Sequence, residues 1–191
     1  MPILGVVASS TRQGQATDTG AMFPISSVTV GSAGTSTVTF SSIPSTYTHL
    51  QIRFIARANR SGENADLITF RFNGDTASNY SWHALEGAGA TAFVEAAANA
   101  SLPRNGEISA TTATAGIFGA GIVDVLDYAN TNKYKTIRSL SGVDRNGSGT
   151  IWFGSSNWRD NNAITSINIL PTVGIGFVEY SQFALYGIKG A

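Results

Sequence analysis

Apolar and polar positions alternate along most of the chain from Ile25 onward. In residues 49–58, Leu50, Ile52, Phe54 and Ala56 fall on one face and Gln51, Arg53, Ile55 and Arg57 on the other. That period of two is what a half-buried antiparallel strand requires. Residues 67–73 repeat it, with Ile68, Phe70 and Phe72 expected inward and Thr69 and Arg71 outward. Further strands are expected over 27–30, 36–40, 80–85, 92–97, 118–128, 134–140, 150–153, 164–170 and 177–188. The first two of these, joined by Gly31-Ser-Ala-Gly34, read as a hairpin. The pattern places Leu50, Ile52, Phe54, Phe70, Phe72, Ile122, Leu126, Ile167 and Phe183 in the core.

Between these runs lie Asn73-Gly-Asp75, Asn130-Thr-Asn132, Asp144-Arg-Asn-Gly-Ser-Gly149 and Asp160-Asn-Asn162. Asn, Asp and Gly tolerate positive φ or bond their own backbone, so these are turns. The one helix candidate, residues 88–100, is alanine-rich but has no apolar stripe at 3.6 spacing and is broken by Gly89 and Val94, so strand or loop is the preferred reading. Many short strands, glycine-rich turns and no long helix predict an all-β, antiparallel β-sandwich, jelly-roll-like. Residues 1–23 stand apart: an apolar hexad from Ile3 to Ala8, then a polar stretch with neither period, read as an extended N-terminal arm ahead of a β-sandwich domain over 24–191.

Composition narrows the function. The chain of 191 residues has no cysteine, which closes thiol-redox and cysteine-ligated metal chemistry. Twelve basic residues balance twelve acidic ones, and Lys133, Lys135 and Lys189 are its lysines, so a phosphate-tracking surface is not expected and nucleic acid is excluded as a partner. The hexad is too short to span a membrane and lacks the basic flank of a signal peptide. Only 13% of residues are charged, which gives weak self-repulsion and fits a chain that lives in an assembly. Ile55 and Tyr134, on outward strand faces, are expected at contacts between copies.

No motif for catalysis emerges. Nucleophile–base pairs would have to be built on His49 or His83, each read as an ordinary strand histidine. Asp124 and Asp127 are an odd separation apart and cannot flank one glycosidic bond from a strand, while Asp124 shares parity with Ile122 and Leu126 and is expected inward, paired with Arg53 or Arg138. Asp144-Arg-Asn146-Gly-Ser148 begins like a calcium loop but lacks the downstream glutamate, so it reads as an Asx turn. No metal or cofactor is expected. Trp152 is expected in the core. Asn157 and Trp158, in an aromatic and amide-rich stretch, are the candidate ligand or subunit contact, because rings and amides complement a sugar.

Several blocks carry a resemblance: Met1-Pro-Ile-Leu-Gly-Val-Val-Ala-Ser-Ser10, the segment from Phe40 to Arg53, Arg71-Phe-Asn-Gly-Asp75, Asp127-Tyr-Ala-Asn-Thr-Asn-Lys133 and the ending from Tyr180 to Lys189. Together they resemble a family of small virion-associated structural proteins of tailed bacteriophages. The resemblance implies a non-enzymatic component that decorates the head, or else belongs to a tail fibre or baseplate and binds a host-surface receptor or glycan. By analogy it also implies a homotrimer in contact with the major capsid protein or other virion proteins. On the decoration reading, Ile3, Leu4, Val6 and Val7 of the arm are the partner-binding residues, since apolar side chains at a terminus gain by docking in a groove.

Overall fold

A computed structural model describes residues 22–190. Twelve strands account for its regular structure: β1 (Met22–Thr29), β2 (Val38–Phe40), β3 (His49–Ala56), β4 (Ala65–Phe72), β5 (Tyr80–Ala88), β6 (Thr91–Ala100), β7 (Glu107–Ser109), β8 (Gly119–Leu126), β9 (Lys135–Asp144), β10 (Gly149–Trp158), β11 (Ile167–Pro171) and β12 (Gln182–Ile188). They form an eight-stranded sheet ordered β1-β12-β3-β8-β9-β10-β5-β6 and a four-stranded sheet ordered β2-β11-β4-β7. Every ladder in both sheets is antiparallel.

The pairing is nested. β5 pairs with β6, β4 with β7, β3 with β8 and β2 with β11, each outer pair enclosing the inner ones in sequence. Wrapping such nested pairs over two sheets gives a jelly roll. Two additions enlarge one sheet: the β9–β10 hairpin sits between β8 and β5, and β12 with β1 extends the sheet past β3. The fold is therefore the antiparallel, jelly-roll-like sandwich that the alternation predicts.

The core lies between the sheets and is built from the alternate positions of each strand. Leu50, Ile52, Phe54 and Ala56 of β3 meet Ile68, Phe70 and Phe72 of β4, with Phe183 and Phe177 closing one end. A second cluster of Trp82, Ala84 and Trp152 fills the space beneath β5 and β10.

Four expectations need correction. The turn at 31–34 forms, with Gly34 N donating to Gly31 O at 2.9 Å, but its flanking strands do not pair; β1 joins β12 and β2 joins β11, so the turn crosses between sheets. The body begins earlier than residue 24, because Met22 and Phe23 already pair with Ile188 and Gly187. In β8, Val123 and Val125 face the core, whereas Ile122 is exposed and Leu126 half-buried. Both faces of β8 are apolar, so alternation alone does not orient it, and the deciding contact is Gly121, where a Cβ would come within 2.5 Å of the Phe54 ring. Thr69 is fully buried despite its outward parity, because the stretch over 101–106 runs along β4 and Pro103 O accepts from the threonine hydroxyl. Residues 88–100, the helix candidate, are strand: β6 returns along β5 through Gly89 at φ 57°.

Candidate functional site

The small sheet covers one face of the large one, and among the described residues no element covers the other face. Register defines what that face presents. Val94 opposes Leu85, Leu85 opposes Phe153, Phe153 opposes Leu140, and Leu140 opposes Ile122. Directly opposed residues share a face, so these five side chains form one row across β6, β5, β10, β9 and β8. All five are exposed, Val94 to 80% and Phe153 to 58%. At strand spacings of about 4.8 Å the row is roughly 20 Å long.

The next row is Ala92, Gly87, Ile151, Gly142, Ala120 and Ile55. Ile151 is 66% exposed and stands between two glycines, so its side chain rises from a floor of bare backbone. Toward the β5–β6 and β9–β10 hairpin tips this floor opens into a depression of about 730 Å³ lined by Gly87, Gly89, Ala90, Gly142 and Gly147–Ile151 among others. The loop at its rim is the Asx turn expected from the sequence: Asn146 N donates to Asp144 Oδ1 at 2.8 Å, and Asn146 and Gly147 take positive φ.

The row on the opposite side of the stripe is polar: His83, Ser155, Arg138, Asp124, Gln51 and Tyr186. Asp124 accepts from Gln51 Nε2 at 2.9 Å and pairs with Arg138 at 3.3 Å, while Arg53 donates to Gln51 Oε1 and lies over the Tyr186 ring. Arg138 is thus the partner expected for Asp124, but the pair lies on the open face and not inside, a consequence of the reversed parity of β8. Such a pair contributes little stability in water and fixes the orientation of the polar border.

A second concavity lies where the short β7 ends against the larger sheet, a cavity of about 210 Å³ lined by Arg60, Asp66, Glu86, Glu95, Arg104, Glu107 and Trp152 among others. Its charges are mostly spent on one another. Glu95 pairs with Arg104 at 2.6 Å, and Glu107 with Arg145 at 2.9 Å. Arg104 also covers the Trp82 ring at 4.8 Å. Burial raises the Glu86 carboxyl, and the nearby Glu107 and Glu95 raise it further. No nucleophile–base pair is assembled there.

The remaining sequence candidates scatter. His49 Nδ1 accepts from Asp127 N at 3.0 Å, and the Asp127 carboxylate is held by Lys133, whose hydrogen bond pulls its pKa down. Asp124 and Asp127 therefore belong to separate ion pairs. His83 is exposed on β5 and Tyr134 just before β9. Trp158 is the clearest correction: it is 1% exposed, its Nε1 donates to Asp75, and its ring packs on Phe72 and Tyr80. β10 runs five residues beyond the expected 150–153 strand, and alternation carries Thr150, Trp152, Ser156 and Trp158 to the inside. Asn157, on the other face, is half-buried and donates to Lys135 O at 3.2 Å. Ile3, Leu4, Val6 and Val7 lie outside the described residues.

What the sequence reading missed is the stripe. Leu85, Leu140, Ile151 and Phe153 each look unremarkable within their own strands, and only the order of strands in the sheet brings them together. The signal available in advance was apolar residues at both parities, as in Ile151-Trp152-Phe153.

No family model matches the chain, and no curated protein matches it. Among solved structures, a fructofuranosidase from Schwanniomyces occidentalis complexed with fructose aligns over 88% of this chain and 34% of its own length, at 7% identity and a TM-score of 0.27. The chain thus spans about a third of that protein, and a likeness this slight carries no argument about fold or activity.

Proposed function

We propose that this protein is a non-enzymatic structural component of a bacteriophage virion, of the capsid decoration or cement type, that docks through its N-terminal arm and its outward strand faces. The observation that carries the reading is the apolar row on the open face of a net-neutral sandwich. Such a surface is a liability for a chain alone in solution and an asset for one built into an assembly. The resemblance to virion-associated proteins supplies the context. The ion pairing of Asp124 and Asp127 with different partners, and the mutual neutralisation in the glutamate cavity, accord with a role in binding.

The alternative, a tail-fibre or baseplate component that binds a host-surface receptor or glycan, had as its candidate ligand contact Asn157, which is half-buried, and the indole ring of Trp158. That ring is buried, so the alternative loses its main support.

Localisation on purified particles by cryo-electron microscopy, combined with deletion of residues 2–8, tests the reading. The expected result is density for the protein on the capsid shell, and a deletion variant with unchanged far-UV dichroism that no longer enters particles. A shortened protein that incorporates at full occupancy overturns docking by the arm, and absence of the wild-type chain from particles overturns the virion role.

A further inference from the structure

We infer that the apolar stripe is the contact between two copies of this chain, packed face to face across a two-fold axis, with Ile151 of each copy seated on the glycine floor of the other. The inference rests on the reading of the chain as an assembly component and names the partner of that face.

Area is the first argument. Val94, Leu85, Phe153, Leu140, Ile122, Ile151 and Ile55 are contiguous by register and each is at least 38% exposed. With about 150–250 Å² for a full large side chain, these fractions amount to roughly 700 Å², more than the 300–600 Å² of an ordinary monomer's largest patch and close to the ~800 Å² each partner gives a standard stable interface. One copy supplies one half of such an interface.

Charge is the second. The two central rows carry no ionisable side chain across five strands, and Arg53 and the Arg138–Asp124 pair stand at the border. A chain of zero net charge meets its own copy without long-range repulsion. A strongly basic or acidic partner would find nothing within these two rows to pair with.

Shape is the third. Ile151 is flanked on both sides by glycine, and beyond these by Ala92 and Ala120. Knob and trough are one strand spacing apart on the same molecule. A two-fold axis passing between them fills both troughs at once, as an isologous contact requires. Sheets meeting this way stack about 10 Å apart with strands offset by about 30°. A three-fold ring would instead set this face against a different surface of the neighbour, so the two-fold contact is additional to the trimer that the family resemblance implies.

Glycine supplies a clean test. A Cβ at Gly87 meets nothing within 4 Å, and its backbone φ is an ordinary one, so Gly87→Val fits the isolated fold and fills the trough. Phe153→Glu places a charge at the centre of the stripe without touching the core. The full-length chain, Gly87→Val, Phe153→Glu and a control, Val173→Ser, on an exposed loop, are compared by sedimentation at micromolar concentration, with far-UV dichroism confirming the fold. The expected result is that the two face variants sediment at half the mass of the wild type and of the control. If Gly87→Val does not fold, Phe153→Glu decides alone. Equal masses for wild type and Phe153→Glu overturn the inference, as does a fall to one third.

The virion reading is scored separately, on particles. Face variants that lose half their mass support this inference whether or not they enter particles. A wild-type chain that pairs in solution but is absent from particles overturns the virion reading and leaves the pairing established.

Discussion

The indole Nε1 of Trp158, at the end of β10, donates to Oδ2 of Asp75 at 2.7 Å, in the turn between β4 and β5. Asp75 also accepts from Ala77 N and Asn79 Nδ2, each at 2.8 Å, so one carboxylate shapes the turn and satisfies a buried donor. Burial pushes the Asp75 carboxyl up, but the bonds from Trp158, Ala77 and Asn79 and the charge of Arg71 outweigh it and hold the pKa below the usual carboxylate range. A depressed folded-state pKa contributes stability above the unfolded value and loses it as pH falls through the folded one. Asp75→Ala is expected to cost about 1–3 kcal/mol at neutral pH, by leaving the indole N–H unpaired, and to flatten the loss of stability below about pH 4. Urea unfolding at a series of acidic pH values measures both.

Lys135 is fully buried at the start of β9, with Nζ donating to the carbonyls of Asn130 at 2.7 Å, Lys133 at 3.1 Å, Asn161 at 3.3 Å and Asp160 at 3.5 Å. An ammonium among backbone oxygens does what a bound cation does in other loops: it pins two turns, 130–133 and 160–161, together. Lys135→Met keeps much of the volume and leaves those oxygens without their donor, at an expected cost of about 2–4 kcal/mol. The readout is the urea midpoint, together with faster proteolysis in the two turns.

Tyr80 is buried beside Phe72 and Trp158, and its hydroxyl accepts from Phe72 N at 3.2 Å. Burial pushes its pKa up to about 12. A raised folded-state pKa means that the stabilisation is complete below the unfolded value near 10 and is lost as pH rises toward about 12, at about 1.4 kcal/mol per pH unit. Tyr80→Phe is expected to remove that slope while leaving stability at pH 7 within about 1–2 kcal/mol of wild type. Because burial raises Tyr128 as well, some alkaline loss persists in the variant.

The Phe54 ring rests on Gly121 of the neighbouring strand. Phe54→Ala is expected to cost about 3–5 kcal/mol by opening a cavity between the sheets. Gly121→Ala acts from the other side, driving a methyl into the same ring, and is expected to cost about 1–3 kcal/mol. Thermal melts of the single and double variants check the shared origin: in the double variant the methyl occupies part of the cavity, so its loss is smaller than the sum of the two.

The extent to which the chain discloses itself follows from where information sits. β3 and β4 read correctly at Leu50, Ile52, Phe54, Phe70 and Phe72 because Gln51 and Arg53 in one strand and Arg71 in the other mark the opposite face as the outer one. β8 misled because Ile122 and Leu126 compete with Val123 and Val125, and only the glycine under Phe54 breaks the tie. Thr69 misled because a remote stretch, 101–106, covers it. The jelly-roll pairing was accessible as a class, from short strands and glycine turns. The stripe was not, because it is a property of strand order: Phe153 and Ile122 are separated by thirty residues in the chain and by one strand in the sheet.

The nested pairing also sets a timetable for synthesis. β2 waits for β11, and β1 for β12, so strands made early must remain single until the last fifth of the chain has been delivered. At about 5–20 residues per second the delay is of the order of ten seconds. Meanwhile β5–β6 and β9–β10, whose partners follow at once, are able to zip locally and lie side by side only later, when β10 finds β5. The stripe is therefore created by the docking of two hairpins. Until that docking occurs the stripe does not exist as a surface, and what the nascent chain exposes instead is the core side chains and open edges of the strands still waiting for their partners.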